Sequence, residues 1–343
     1  MTTKLKLDHV HSYLWQKQGF DLLRPRSSYA LVNEIIGIYG TAPTCYLSLL
    51  ARTPKFSPRG SGRGVVHPPT IAQNALHAAS QFLVSKSLIP VLFQATKATC
   101  QAAFRNLVEK SGVPRKKYER AASRIEQLLA TEGMTVSELK KALPSASAAV
   151  RNALNFIVAL MCAEGRLIRA RTRGSWKSDL CEYTTFQNGL PEVDLESIEP
   201  AAVRVVVARH YFEAFGPATA EDFQWWSGFS KPESENALSE LAQELMPVDI
   251  AGLDGDYFIL KKNAELLDRV AEQVPQNVAL LPVWDAYLMA YKNRQRYLSE
   301  PWYEYVYDKG GNATSAILLN GIIGGVWDME EKKQQLYSQS SAF

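Results

Sequence analysis

Arginine recurs at every second position in RLIRARTRGSW, at Arg169, Arg171 and Arg173, with Arg166 and Lys177 close by. Strand side chains switch faces at each residue, so the alternation predicts three guanidinium groups on one face. Such a row suits the phosphates of duplex DNA, the part of DNA affinity that carries no sequence information. Without a partner, the same row is a polar, solvated strand face. Just upstream, Arg151, Asn152 and Asn155 fall together near the start of an otherwise apolar helical run, where a recognition helix carries its base-reading side chains. The competing reading is a helix buried between units, with its asparagines satisfied internally.

A further stretch, Gly37-Ile38-Tyr39-Gly40-Thr41-Ala42-Pro43, breaks the chain between two helical runs, ALVNEIIGIYG and TCYLSLLAR. It reads as a pocket-lining loop, with Gly40 relaxing the backbone and Pro43 opening the next helix. Other reactive groupings do not assemble. Gly60-Ser61-Gly62-Arg63-Gly64 lacks the Gly-Lys-Ser/Thr ending of a phosphate loop and follows no convincing strand. His9, His11, His67, His77 and His210 are scattered, with no cysteines at zinc spacing, and read as solvated or core residues. Trp225-Trp226 reads as core, and no nucleophile triad can be drawn around a lone serine or aspartate. No metal or organic cofactor is expected.

These residues need elements to position them, and one order of elements occurs twice. In the first copy KKYERAASRIEQLLA is a helix, Thr135 and Glu138 form a capping box, and Ser145 or Ser147 caps a longer helix that stops at Gly165. A hairpin with a Gly-Ser turn follows. In the second copy IEPAAVRVVVARHYFEAF is a helix, Thr219 and Asp222 repeat the cap, and KPESENALSELAQEL supplies a third helix with Pro232 in its first turn. A hairpin turns at Asp254-Gly255. Helix, helix, helix, hairpin is the order of a winged helix. The second hairpin carries Asp249, Asp254 and Asp256 and no basic residue before Lys261, so the two copies are unequal in charge. Further on, Lys292, Arg294 and Arg296 alternate on a strand, a helix or a loop, and Asn320-Gly321 signals another hairpin.

At 343 residues and 46% hydrophobic content the chain can form two or three compact units, each with its own core. A formal charge of +3 is too small to indicate a nucleic-acid partner by itself, so that case rests on clustering. Cys45, Cys100, Cys162 and Cys181 are far apart and sit mostly in apolar stretches, as reduced thiols of a cytoplasmic protein do. The N-terminus lacks a long apolar signal core, and no apolar run approaches the roughly 20 residues that span a bilayer, so no membrane association is expected.

The two copies are followed by Leu280-Leu281-Pro282 with Asp285, by Tyr291-x-x-Arg294, and by Asn320-Gly321 and Gly325-x-Trp327. Together these resemble the AlkZ/YcaQ family of winged-helix DNA glycosylases, whose C-terminal motif has the form LLP-x-[FYW]-D-x-x-L-x-x-Y-x-x-R. The stretch GIYGTAPTCYLSLLAR is similar to the family segment G-L-Q-A-Q-x-P-x-x-x-x-L-x-x-x-R, with Gly37, Pro43, Leu47 or Leu49, and Arg52 in register. The resemblance implies a C-shaped stack of winged helices that binds duplex DNA and hydrolyses the N-glycosidic bond of alkylated or crosslinked bases. It also implies that a catalytic Gln-x-Gln or Gln-x-Asp positions water and stabilises the cationic sugar. Tyr39-Gly40-Thr41 stands at those positions, which would give Thr41 the water and Tyr39 the pocket wall. Gln16-Lys17-Gln18 has the right letters but lies about one helix too early, and reads as ordinary helix surface. Where residues 57–81 stand, the family usually has a helix and then a strand resembling M-R-G-[TS]-L-H-L-V-P, and that strand is matched better by Phe82-Leu83-Val84-Ser85-Lys86 than by Arg63-Gly64-Val65-Val66-His67. That leaves residues 57–81 as a divergent loop or a reading-frame error, and the polar ending EEKKQQLYSQSSAF is short for the family.

The expected fold is α+β, mainly α, with tandem winged-helix units and a small β-rich C-terminal region. An N-terminal helical or winged-helix-like unit covers residues 1–112, a second winged helix 113–192, a third 193–262 and the β-rich region 263–343. The expected DNA contacts are Arg151, Asn152, Asn155, Arg169, Arg171, Arg173, Lys177 and Arg294, in a monomer that binds duplex DNA. Asp285 and Arg294 are also read as structural or channel residues. Two alternatives stand beside the glycosylase: a non-catalytic winged-helix DNA-binding or regulatory protein, and a protein-interaction scaffold that would explain the acidic second wing.

Overall fold

The computed structural model describes residues 3–22, 26–40, 43–53, 71–72, 81–270, 278–332 and 335–342. Two compact units account for them. One joins Met1–Tyr39, Thr44–Gly60 and Ala208–Phe343; the other joins Gly40–Pro43 and Ser61–Val207. Thr41 and most of residues 57–81 lie outside the described residues.

The first unit opens with β1 (Thr3–Leu5), α1 (Leu7–Lys17), α2 (Ser28–Glu34), β2 (Ile38–Tyr39) and α3 (Thr44–Leu50). Val10, Tyr13 and Leu14 bury one side of α1. The expected helix surface at Gln16-Lys17-Gln18 is corrected here, because the end of α1 is packed. Gln18 is fully buried and donates from Nε2 to the Ala214 carbonyl at 2.7 Å, while Lys17 pairs with Glu213 at 2.6 Å.

The second unit contains β3 (Ile71–Ala72), antiparallel to β4 (Gln81–Leu83), then α4 (Ile89–Lys110), α5 (Arg115–Leu129), β5 (Met134–Thr135), α6 (Val136–Ala142), α7 (Ala148–Asn152) and α8 (Leu154–Ala163). A hairpin of β6 (Leu167–Thr172) and β7 (Cys181–Thr185) follows, then α9 (Phe186–Gly189). On α5 the residues Tyr118, Ala122, Ile125 and Leu129 recur at helical spacing and are buried, so the rest of that helix can be highly charged. Phe104 and Val108 of α4 share their core with Leu139, Ile157 and Met161. Thr135 and Glu138 form the expected capping box, and Gly165 leaves α8 at φ +73°. The single long helix expected after Ser147 is two, because the chain breaks at Ala153. Strand order in this sheet is β5-β7-β6.

The same succession recurs farther along the chain: α10 (Val203–Phe215), β8 (Ala218–Thr219), α11 (Ala220–Ser227), α12 (Lys231–Leu241), β9 (Leu245–Ile250) and β10 (Tyr257–Leu260). Thr219 and Asp222 cap α11 as Thr135 and Glu138 cap α6. β1 joins this sheet in parallel with β9, pairing Thr3 with Val248 and Leu5 with Ile250. The chain continues through α13 (Lys261–Arg269), β11 (Val278–Leu281), α14 (Tyr303–Val306), β12 (Ala316–Leu319), β13 (Ile322–Lys332) and β14 (Gln335–Ala342). β11 to β14 form a sheet in sequential order. Its β12–β13 turn places Asn320 and Gly321 at φ 51° and 89°, the geometry that favours Asn-Gly in tight hairpins.

None of the four cysteines forms a disulfide, and Cys45, Cys100 and Cys181 are buried. Among the described residues no helix is long and apolar enough to cross a membrane. Replacing Thr135 with Ala removes the hydroxyl that caps α6 and is expected to cost about 1 kcal/mol in urea unfolding. Thr131→Ala, at an exposed helix end, is expected to stay within about 0.5 kcal/mol.

Candidate functional site

The loop singled out in the sequence begins where α2 stops. Ile36 and Gly37 take φ values of 53° and 98°, and the Gly37 N–H donates to the Val32 carbonyl at 2.8 Å. That left-handed turn sends Ile38 and Tyr39 into the interior as β2, where both are buried. The Tyr39 ring lies 5.4 Å from the ring of Trp284, centroid to centroid. Trp284 is itself half-buried and takes φ 56°.

A buried ion pair holds these two aromatic residues near each other. Arg52, just past α3, reaches Asp285 with two parallel bonds, Nη1 to Oδ2 at 2.7 Å and Nη2 to Oδ1 at 2.6 Å. Neither side chain has any solvent exposure. Further donors and acceptors of the pair are also used. Arg52 donates from Nε to the Gln18 carbonyl at 3.0 Å and from Nη1 to the Ser48 carbonyl at 3.1 Å. Asp285 accepts from the Ser48 hydroxyl at 2.9 Å and the Tyr287 N–H at 3.0 Å. The Phe20 ring covers the guanidinium at 4.5 Å. This is the satisfied, forked geometry that a desolvated charge pair needs.

Farther along, the basic residues at 292, 294 and 296 do not alternate on a strand, since this segment is built of turns. Lys292 is exposed and pairs with Glu221 at 2.5 Å. Arg294, expected on DNA, is buried instead. Its guanidinium lies 4.1 Å from the Tyr307 ring and 4.8 Å from the Trp225 ring, and Nη2 donates to the Gly311 carbonyl at 3.0 Å. Arg296 is likewise buried, 3.8 Å from the Tyr291 ring, with Nη1 on the Pro217 carbonyl at 2.8 Å. Both are structural cations inside aromatic cages.

The arginine row in the second unit is broken by a β-bulge. Arg169 faces Tyr183 across the hairpin, but Arg171 faces Glu182, so Ala170 is the extra residue. Tyr183 and Glu182 are neighbours on β7 and point to opposite faces, and their partners therefore do too. Arg169 turns inward, is buried and donates to Cys181 Sγ and the Asp179 carbonyl. The expectation of three guanidinium groups on one face is thus corrected to two. Arg171 remains 71% exposed, yet it and Arg173 both bond Glu182, a carboxylate only 3% exposed. Arg173 also reaches Glu138 at 2.8 Å. The Arg171 bond, with help from Arg173, holds the Glu182 carboxyl below the usual carboxylate range against the opposing effect of burial. Lys177 lies over the Trp176 ring at 5.6 Å.

Asn152 and Asn155 are exposed at the junction of α7 and α8, beside an exposed Phe156. Arg151 is half-buried and donates to the Pro144 carbonyl at 3.0 Å. The junction thus presents polar side chains outward while Leu154, Ile157 and Val158 face the core. Sequence reasoning missed Glu182, whose signal was a lone acid opposite the arginine strand. It also missed the Arg52–Asp285 pairing, although each residue stood in a motif.

A family model described as "DNA glycosylase AlkZ-like" matches residues 38–342. An interstrand DNA cross-link repair glycosylase from Streptomyces sahachiroi is 27% identical over 139 residues, 39% of this chain. The match takes in 36% of that relative, so the chain spans about a third of its length. The solved structure of the S. sahachiroi DNA glycosylase AlkZ superposes with a TM-score of 0.75 at 20% identity, covering 97% of this chain and 90% of that one. This last likeness is one of fold.

Removing one partner of the buried pair leaves an uncompensated charge, so Asp285→Ala is expected to lower stability by about 3–5 kcal/mol in urea unfolding. In the double variant Arg52→Met, Asp285→Leu most of that loss should return, because both desolvated charges are gone.

Proposed function

Since the chain belongs to the AlkZ-like DNA glycosylase family, we propose that it is a duplex-DNA-binding repair protein on a glycosylase scaffold, directed at alkylated or crosslinked bases. The observation that carries this reading is the Arg52–Asp285 pair, which ties the Gly37–Arg52 segment to the Trp284-Asp285 motif within the stretch that the family model matches. The two helix, strand, helix, helix, hairpin successions support tandem winged helices, with α7 and the start of α8 as a recognition helix. Asn152 and Asn155 then reach base edges, while Arg151, Arg171, Arg173 and Lys177 meet phosphates. Arg169 and Arg294 have no part in this, being buried on protein partners.

Hydrolysis of an N-glycosidic bond needs a held water and oxygens that stabilise a cationic sugar. Thr41 supplies one neutral hydroxyl for the water. Tyr39 lines the loop, and its ring is committed to Trp284. That packing favours a second reading, in which the scaffold binds duplex DNA and the chemical step has been lost, because no amide or carboxylate stands at positions 39 and 41.

Base release from alkylated and crosslinked duplexes separates the two. The variant Tyr39→Gln, Thr41→Gln is expected to release base faster than the parent. Release by the parent as well establishes catalysis, whereas silence from both proteins favours a binding role. Duplex affinity should fall steeply with salt, and Arg171→Glu with Arg173→Glu should weaken it at least tenfold at low ionic strength. Glu182→Gln should tighten binding severalfold, because Arg171 and Arg173 lose a competing carboxylate. Unchanged affinity in the double charge reversal would remove the wing from the interface.

A further inference from the structure

Charges on α5 fall into two sets. Its acids Glu119 and Glu126 are taken up by Arg166, which donates to Glu126 at 2.8 Å and to Glu119 at 3.2 Å. Lys117, Arg120 and Arg124 are exposed, and among the described residues none of the three enters an ion pair. Arg124 donates only to the neutral Gln127, at 3.0 Å. Their i, i+3, i+7 spacing sets them along one stripe of α5, about 10 Å long at a rise of 1.5 Å per residue.

This stripe rims a cavity of about 520 Å³ between α5 and the turn joining α6 to α7. Facing it are the apolar Leu143, Pro144 and Val150, with the hydroxyls of Ser145 and Ser147 between them. Leu143 and Val150 belong to the core of the unit, and Arg151 braces the turn through its bond to the Pro144 carbonyl. The volume falls within the roughly 300–1,000 Å³ common for binding sites that combine apolar walls with a few directed polar groups.

Three uncompensated cations favour an anionic ligand, and the wall adds a second demand. A DNA duplex is convex and charged along its surface, so it would meet the rim cations and leave the wall in water. We propose that this cavity docks an acidic peptide segment that ends in an apolar side chain, presented by a partner protein. Three extended acidic residues span about 10 Å at roughly 3.3 Å each, which matches the cationic stripe. The apolar residue that follows fills the cavity against Leu143, Pro144 and Val150 and loses its contact with water. The cavity adjoins the proposed recognition helix through Val150 and through the Arg151 bond to the Pro144 carbonyl, so the test includes a duplex competitor that separates the two readings.

The test is fluorescence anisotropy with the full chain and a labelled peptide, Ser-Gly-Asp-Asp-Asp-Leu-Pro-Phe. Saturable binding in the micromolar range is expected. It should weaken at least tenfold when the aspartates are replaced with asparagine, and at least tenfold when the leucine and phenylalanine are replaced with serine. Arg120→Glu with Arg124→Glu should abolish it. Ser145→Trp, which fills the mouth from an exposed position without changing charge, should abolish it too, and circular dichroism melting checks that both variants remain folded. Absence of saturable binding overturns the proposal, as does unchanged binding in the Ser145→Trp protein. If the serine-substituted peptide binds as tightly as the parent peptide and a 20-base-pair duplex displaces both, the stripe reads charge alone and belongs to the nucleic-acid surface.

Discussion

A guanidinium and a carboxylate 233 positions apart in sequence meet wholly out of water, and the first unit is arranged around them. Desolvating two full charges is costly, so such a pair persists only where every donor and acceptor has a partner. Here Ser48, Gln18 and Tyr287 supply the remaining bonds, which ties the end of α1, the length of α3 and the segment after β11 to one point. Trp284 precedes the carboxylate by one residue. Tyr39 packs on the Trp284 ring, so the place of this one side chain follows from a contact that has no chemistry of its own.

Charge in the second unit is redistributed relative to what a list of basic residues suggests. The hairpin arginines that remain exposed face two carboxylates, Glu182 and Glu138, so two cations and two anions stand together there. On α5 the balance is reversed, since Arg166 draws Glu119 and Glu126 to itself and leaves the stripe of Lys117, Arg120 and Arg124 uncompensated. A field depends on which charges are already answered, and the hairpin is the more nearly neutral of the two surfaces.

Much of the fold was open to sequence reasoning because its signals are local. Thr135 with Glu138 and Thr219 with Asp222 are capping boxes wherever they occur, and Asn320-Gly321 suits a tight hairpin through its backbone preferences alone. Their repetition exposed the two matching successions of elements. The arginine row failed as a prediction because a single inserted residue, Ala170, reverses every face that follows it. A bulge depends on how two strands pair, and the alternation in one strand holds no record of it.

The sequence by itself determined the caps at Thr135 and Thr219, the Asn320-Gly321 turn and the motifs that mark the family, since each rests on interactions within a few residues. Only the tertiary structure decided which charges are buried. Arg52, Arg294 and Arg296 carry the same side chain as Arg171, yet three lie inside the protein on carboxylate, carbonyl and aromatic partners and one stands in solvent. Tertiary structure also returned β1 to a sheet formed some 240 residues later and set Tyr39 against Trp284. Such choices depend on the free energy of removing a group from water, which is fixed by what closes over it and not by its neighbours in the chain.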